Sequence, residues 1–259
     1  MKKRIVLILM LCLSIAACAT DTDNPAAQFK GQDAKQIFMN GEKSLAKKGY
    51  KDAIKNFEGL DALYPFSPYE EQAQLQLMYA YYMDQDYSSS AATAERFIRL
   101  YPRSPHVDYA YYMKGMAHYQ TNRGFASKYF NLDMAQRDLS NSQQAFNDFA
   151  TLIKYYPNSI YTSNAKARMV NLRNLMALHE VEVANYYMNH NAYLAAINRA
   201  NYVVQHYQTS PAVIPALGVL VKSYRKLNMT EMADNTLKIM GYNYPNSELY
   251  KQLAGTRGK

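Results

Sequence analysis

The segment YKDAIKNFEGLDALYP, residues 50–65, is the stretch that decides the fold. Ala53, Phe57, Leu60 and Tyr64 follow one another at intervals of four, three and four residues. Such intervals bring side chains to one face of an α-helix. The proline that closes the segment prevents the helix from continuing. The segment therefore predicts an amphipathic helix that ends at a Tyr-Pro pair.

The same arrangement recurs four more times along the chain. Each copy has a closing tyrosine, a small residue eleven positions before it, and apolar residues seven and four positions before it. The closing tyrosines, separated by 37, 55, 51 and 37 residues, are Tyr64, Tyr101, Tyr156, Tyr207 and Tyr244. The small residue lets a neighbouring helix approach closely, and the larger ones fill the space beyond it. Another amphipathic run precedes each of these helices, so the pattern predicts a helix-turn-helix unit repeated five times.

We therefore predict an all-α fold, a solenoid of five divergent tetratricopeptide-like helix-turn-helix repeats over residues 35–247. The pattern Tyr50-x2-Ala53-Ile54-x2-Phe57-x7-Pro65 resembles the second half of a tetratricopeptide repeat. A non-repetitive helical bundle is the alternative, and the regular spacing favours the solenoid. The predicted helices are 35–48, 52–64, 67–84, 87–101, 105–121, 139–156, 159–189, 193–207, 211–227 and 230–244. Residues 248–259 are predicted to form a C-terminal cap and a basic tail.

Two features depart from a regular array. The fourth unit has no proline or glycine from Ser163 to Asn191, so its first helix is predicted to be about 43 Å long. Residues 122–138 form an insertion in the third unit. Insertions in repeat proteins map to one face and often bind partners, but this one is equally well interpreted as a packed surface loop.

The composition is that of a globular protein. The chain has 259 residues, of which 49% are hydrophobic and 19% charged. It contains 10 glycines and 9 prolines, fewer turn residues than a sandwich or barrel of short strands needs. Of the aromatic residues, 25 are tyrosine and none is tryptophan.

The N-terminal residues have the pattern of an export signal with a lipid site. The basic residues Lys2–Arg4 precede an apolar run, 5–15, which is too short to span a bilayer. Ile15-Ala16-Ala17-Cys18 resembles the bacterial lipobox, in which the cysteine is acylated and becomes the mature N-terminus. An ordinary signal peptide with an incidental cysteine is the alternative. We predict a lipoprotein signal peptide over 1–17, and a lipidated N-terminus with a flexible tether over 18–34.

A lipidated N-terminus at Cys18 bears on the attached groups, the net charge and the location of the protein. The covalent diacylglycerol and N-acyl lipid would be the protein's one attached group, and no other cofactor is predicted. Loss of three basic residues and no acidic ones lowers the net charge from +8 to +5, and export makes nucleic acid an implausible partner. In bacterial lipoproteins an Asp after the cysteine tends to retain the protein in the inner membrane. Ala19 stands there instead, which favours the periplasmic face of the outer membrane.

Catalytic and metal-binding motifs are not found in the sequence. There is no glycine-rich phosphate loop and no G-x-S-x-G element. His179-Glu180 begins like a metalloprotease helix but lacks the second histidine that zinc would need. We therefore predict that the protein is not an enzyme and has no metal site.

Tyrosines on the predicted first helices are candidates for a peptide-binding groove. Tyr79, Tyr82, Tyr111 and Tyr112 lie on the first helices of the second and third units, and first helices line the concave side of such solenoids. A tyrosine offers apolar area and a hydrogen bond at low entropic cost. For any one of them, packing between helices with the hydroxyl at the rim is the simpler interpretation.

Several segments are similar to the BamD (also called ComL) family, lipoproteins of the outer-membrane β-barrel assembly complex. The segments that carry this resemblance are 66–69, 101–106, 155–161, 184–187 and 192–199. The resemblance implies a scaffold that binds the periplasmic domain of a BamA-like barrel subunit through its C-terminal units. It also implies that the N-terminal units receive the targeting segment of unfolded outer-membrane proteins, and that other lipoproteins of the complex dock on the chain.

One residue role is carried over from that family. In Ile197-Asn198-Arg199, Arg199 corresponds to the family's arginine that pairs with an acidic residue of BamA. Arginine suits such recognition because its guanidinium can bind a carboxylate bidentately. From the sequence alone Arg199 is one solvated helix charge among many. A periplasmic repeat lipoprotein that coordinates cell-wall (peptidoglycan) enzymes remains the alternative function.

Overall fold

The computed structural model describes residues 25–121 and 139–256. The helices in this part of the chain are α1 (Pro25–Gln28), α2 (Ala34–Ala46), α3 (Tyr50–Leu63), α4 (Glu70–Met83), α5 (Tyr87–Leu100), α6 (Val107–Thr121), α7 (Ser140–Tyr155), α8 (Thr162–Asn189), α9 (Tyr193–His206), α10 (Val213–Lys226), α11 (Thr230–Asn243) and α12 (Glu248–Gly255). None of these helices is long and apolar enough to cross a membrane.

The predicted all-α fold of sequential helix pairs is confirmed. The helices of α2–α3, α6–α7, α8–α9 and α10–α11 pack on each other, and α12 packs on α10 and α11. In the pair α4–α5, the buried hydroxyl of Ser90 donates a 2.8 Å hydrogen bond to the carbonyl of Met78. The positions that the repeat pattern singled out are all buried. Each small residue eleven positions before a closing tyrosine is at most 2% exposed, and the apolar residues seven and four positions before it are at most 4% exposed. The spacing therefore identified the packing face of every second helix.

Each second helix ends in the same turn. The closing tyrosine donates its backbone N–H to the carbonyl four residues earlier, at 2.7 to 2.9 Å. Its own carbonyl then accepts the N–H of a serine three residues later, at 2.8 to 3.0 Å. These serines are Ser67, Ser104, Ser159, Ser210 and Ser247. The turn delays the next helix by about one turn, which is why α4 begins at Glu70 and not at residue 67.

The turn inside four of the pairs is also shared. Lys48, Gln85, Asn191 and Asn228 have φ values of 58°, 68°, 59° and 56°, in the left-handed region. The N–H of the following residue reaches back to a carbonyl five residues earlier, as from Gly49 to Ser44 at 2.9 Å. This is a Schellman-type helix end. It satisfies carbonyls that would otherwise lack a partner, even though none of the four left-handed residues is glycine.

The chain divides into two compact units, and the division falls inside α5. The N-terminal unit comprises the described residues up to Thr93, and the C-terminal unit comprises those from Ala94 onward. In the N-terminal unit, α1 packs on α3, and Phe29 is only 6% exposed because its ring lies against Gly59. The predicted flexible tether therefore does not extend to residue 34. Its second half folds, because Phe29 supplies an apolar side chain to the core.

The core of the C-terminal unit is built around the long helix α8. This helix has 28 residues, as the absence of helix breakers predicted, and spans about 42 Å. Ala177, Val181 and Ala184 on α8 are at most 1% exposed and belong to the cluster that includes Leu217 and Val221 of α10. The small residues let α10 approach α8 closely. The C-terminal half of α8 is therefore fixed by packing on α9 and α10.

Candidate functional site

Arg199 lies on α9 beside a carboxylate of its own chain. Its Nη1 is 3.1 Å from Oε2 of Glu180, which projects from α8. The arginine side chain is 49% exposed and the glutamate side chain 18%. Arg199 is therefore not a lone solvated charge. The side chain is half exposed while one guanidinium nitrogen binds Glu180, so its other N–H groups can donate to a second carboxylate from outside.

A shallow cavity of about 310 Å³ lies next to this ion pair. Its lining comes from the start of α7, the middle of α8 and the end of α9: Leu139, Ser140, Gln143, Met176, His179, Glu180, Tyr202 and Tyr207. Burial raises the pKa of Tyr207, and the neighbouring Tyr202 and Glu180 raise it further. The Tyr207 hydroxyl therefore stays protonated and can donate a hydrogen bond. The sequence predicted Arg199 but gave no sign of the cavity, because its lining comes from three separate helices.

The N-terminal pair of predicted groove tyrosines differ in their surroundings. Tyr79 on α4 is 38% exposed. Tyr82 is half-buried, and its ring meets the Tyr87 ring edge-on at 5.4 Å between centroids. Tyr79 is therefore accessible to a partner, whereas Tyr82 also packs α4 against α5.

The other predicted groove tyrosines, Tyr111 and Tyr112, take part in helix packing in the C-terminal unit. The rings of Tyr111 and Tyr156 lie 5.7 Å apart between centroids, and burial raises the pKa of Tyr111. Tyr112 stacks on Tyr161 at 4.7 Å, and its hydroxyl donates a 2.9 Å hydrogen bond to Asn164 of α8. These contacts match the packing interpretation, and a role in a peptide groove stays a prediction.

Tyr81, between two of the predicted groove residues, joins α4 to α3. Its hydroxyl donates a short hydrogen bond to the carboxylate of Glu58. Burial raises the pKa of Tyr81 well above the usual value of about 10, and the hydrogen bond and charge of Glu58 raise it further. The folded protein therefore holds this proton more tightly than the unfolded chain does.

Replacing Tyr81 by Phe is expected to lower the free energy of unfolding at pH 8 and to make that free energy less dependent on pH above 8. At pH 8 the loss of the bond to Glu58 should cost about 1 kcal/mol. A raised pKa contributes stability that is present below pH about 10 and is lost as the pH rises further, so Tyr81→Phe should show a smaller loss than wild type between pH 8 and 10.5. Urea unfolding followed by circular dichroism at pH 8 and at pH 10.5 measures the stability lost at pH 8 and the further stability lost as the pH rises. Tyr242→Phe, at an 89% exposed position, is the control. If Tyr81→Phe lost as much stability as wild type between pH 8 and 10.5, Tyr81 would not be the source of the pH dependence.

A buried charge cluster that sequence reasoning missed joins α6 to α7. Oδ2 of Asp148 is 2.6 Å from Nδ1 of His118, and Oδ1 is 3.5 Å from Nζ of Lys114. Lys114 also lies 3.6 Å from Oε2 of Glu95. Asp148 is only 9% exposed and lies on the buried face of α7 beside Phe149 and Leu152. The partners come from another helix, so no local pattern marked it.

Two predicted sites, Cys18 and the insertion 122–138, lie outside the described residues. Within 25–121 and 139–256, no group of three or more His, Cys, Asp and Glu side chains is placed to hold a metal ion.

Comparison with known proteins decides the family. A family model described as YfiO, outer membrane lipoprotein, matches residues 30–239. The chain belongs to this family. The outer membrane protein assembly factor BamD of Neisseria meningitidis serogroup B is 34% identical over 252 residues, which cover 96% of this chain and 94% of that protein. BamD of Vibrio cholerae serotype O1 is 36% identical over 208 residues, with 80% and 86% covered.

Membership of the YfiO family confirms several predictions made from the sequence. The protein is an outer membrane lipoprotein with tetratricopeptide-like helix pairs. Its relatives are outer membrane protein assembly factors, which agrees with the prediction that this chain is not an enzyme. Among solved structures, MamA matches with a TM-score of 0.36 and 14% identity, over 83% of this chain and 96% of that one. So distant a likeness adds nothing to the fold described above.

Proposed function

We propose that this protein is a lipoprotein scaffold for the assembly of outer-membrane β-barrel proteins. It is held at the periplasmic face of the outer membrane by lipid on Cys18, after removal of residues 1–17. Its C-terminal unit binds the periplasmic domain of a BamA-like barrel subunit, and other lipoproteins of the complex dock on it. Tyrosines such as Tyr79 receive the targeting segment of unfolded barrel proteins. The relative from Neisseria meningitidis, which matches nearly the whole chain, supports the assembly role.

The observation that supports a BamA-like partner most directly is the exposure and orientation of the Arg199 side chain. This side chain is half exposed and projects from helix α9, and its guanidinium is already oriented by Glu180. Pre-orientation lowers the entropy lost when a carboxylate of the partner binds. The adjoining cavity offers Tyr202 and the protonated hydroxyl of Tyr207 to the residues around that carboxylate. This corner of the C-terminal unit is therefore suited to an acidic loop of a folded protein.

Reversing the charge at Arg199 tests the proposal. We expect Arg199→Glu to lower recovery of a BamA-like barrel protein about three- to tenfold in affinity purification from mildly solubilised outer membranes, because the new carboxylate repels both the partner's acid and Glu180. Lys222→Glu, on exposed α10 surface, makes the same charge change and should leave recovery unchanged. Equal recovery from all three chains would remove Arg199 as an anchor. Recovery of cell-wall synthases in place of a barrel protein would overturn the assembly role.

The reciprocal variant is Glu180→Gln. Partly exposed ion pairs contribute about 0–1 kcal/mol, so losing the pre-orientation that Glu180 gives Arg199 should lower affinity for the partner by up to about fivefold. The purified partner domain and surface plasmon resonance give the measurement. A rise in affinity would mean that Glu180 competes for Arg199 and does not prepare it for the partner.

A further inference from the structure

Phe66 is the most exposed large apolar side chain among the residues that the structure describes. It lies in the turn between α3 and α4, within Pro65-Phe66-Ser67-Pro68, and is 99% exposed. An apolar ring in that position gains nothing from folding, since all of its surface remains in water. Single exposed apolar residues are normal on protein surfaces, but Phe66 also lies in a turn that is held in place beside the start of the folded chain.

Two contacts with the start of the folded chain fix the turn. The hydroxyl of Tyr64 donates a 2.8 Å hydrogen bond to the carbonyl of Gln32. The ring of Tyr69 stacks on Phe38 of α2, with centroids 5.3 Å apart. Inside the turn, Ser67 donates its N–H to the carbonyl of Tyr64 at 3.0 Å. Phe66 is therefore presented by a rigid frame and loses little entropy on binding.

The same contacts place Phe66 beside the point where the chain enters the fold. Gln32 follows α1 closely, and Phe29 packs near the C-terminal end of α3, the end from which the turn emerges. Six residues separate Cys18 from Pro25, the start of α1. The seven Cα–Cα steps between the two residues reach at most about 25 Å when fully extended. With lipid on Cys18, this end of the N-terminal unit is kept close to the bilayer surface.

Two exposed lysines lie close to this end of the unit. Lys30 and Lys35 stand on either side of Gln32 in the sequence, with the exposed Asp33 between them, while Asp61, Glu70 and Glu71 near the turn are buried or only partly exposed. Lysines next to a phospholipid surface are attracted by anionic headgroups, and aromatic rings insert at the level of those headgroups.

We propose that Phe66 inserts into the phospholipid surface beside the lipid anchor and, with Lys30 and Lys35, forms a second contact that orients the N-terminal unit on the membrane. The proposal rests on the proposed anchoring through Cys18. One lipid tether fixes distance from the membrane but not direction. A second, rigid contact prevents the unit from turning freely about its tether.

The absence of tryptophan from the sequence permits a direct test. Phe66→Trp places one fluorophore in the turn. Ile160→Trp is the matched control, since Ile160 is 84% exposed in the corresponding turn after Tyr156-Pro157. Both full-length lipidated proteins are reconstituted into vesicles of phosphatidylethanolamine, phosphatidylglycerol and brominated phosphatidylcholine. Flotation shows which protein is anchored, and circular dichroism shows that each variant is folded.

We expect the emission of the tryptophan at position 66 to shift to shorter wavelength and most of its intensity to be quenched by the brominated lipid. The emission of the tryptophan at position 160 should change little in wavelength or intensity. A floating protein in which residue 66 is not quenched, or in which both positions are quenched equally, overturns the membrane contact and leaves the anchor intact. A protein that does not float removes the anchor at Cys18, and the second contact falls with it.

Discussion

Replacing Phe149 by Ala is expected to lower the free energy of unfolding of the C-terminal unit by about 3–5 kcal/mol. The Phe149 ring is fully buried in α7 and lies 6.2 Å from the Tyr112 ring of α6. Its removal leaves a cavity between two helices that are held apart by the remaining side chains. Urea unfolding followed by circular dichroism measures the loss. Ile160→Ala, at an 84% exposed position, should change stability by less than about 0.5 kcal/mol.

The glycine opposite Phe149 makes the prediction more specific. A Cβ at Gly115 would lie 2.6 Å from Cε1 of Phe149, so Gly115→Ala alone should cost about 1–3 kcal/mol. In the Phe149→Ala background the added methyl enters the vacated space, and the second substitution should be nearly neutral. Additive losses in the double variant would contradict the close contact between Gly115 and the ring.

The second large effect is expected from Asp148→Ala, at about 2–3 kcal/mol. The carboxylate binds both His118 and Lys114, whose side chains are only 15% and 22% exposed. Removing it leaves two partly buried nitrogens without this acceptor. Thermal and urea unfolding give the measurement, and Asp148→Asn should lose less because it keeps one acceptor oxygen.

An exposed ion pair supplies the control for Asp148. Lys251 and Glu248 approach to 2.7 Å, yet their side chains are 55% and 78% exposed. Glu248→Ala should therefore cost less than about 1 kcal/mol, because water replaces the lost contact. Equal losses in Glu248→Ala and Asp148→Ala would show that burial does not set the value of the Asp148 cluster.

The repeat was predictable because its signal is local. Ala53, Phe57 and Leu60 lie within two helical turns of one another, and the periodicity that buries them is visible along the chain. The five serines three positions after the closing tyrosines were equally local and could have been found in the same way. They would have set the starts of α4 and α8 correctly.

The site was less predictable because its parts come from distant segments. Arg199 entered through a family resemblance, while its contact with Glu180 depends on how α8 packs on α9. The Asp148 cluster likewise joins residues 30 positions apart. Phe29 lies in a segment, 20–31, whose residues are mostly polar or small, and such a composition predicts a flexible tether. The burial of Phe29 depends on the space above Gly59, which the sequence does not display.

The continuity of α8 gives the C-terminal unit a fixed spacing between two of its contacts. Near its start, Asn164 accepts the hydroxyl of Tyr112, and far along it Glu180 holds Arg199. Backbone hydrogen bonds link these two points through one unbroken α-helix. The sixteen residue steps from Asn164 to Glu180 rise by about 1.5 Å each, so the helix sets these two contacts about 24 Å apart along its axis. The spacing between the Tyr112 contact and the Arg199 ion pair is therefore fixed by one element and does not depend on a loop.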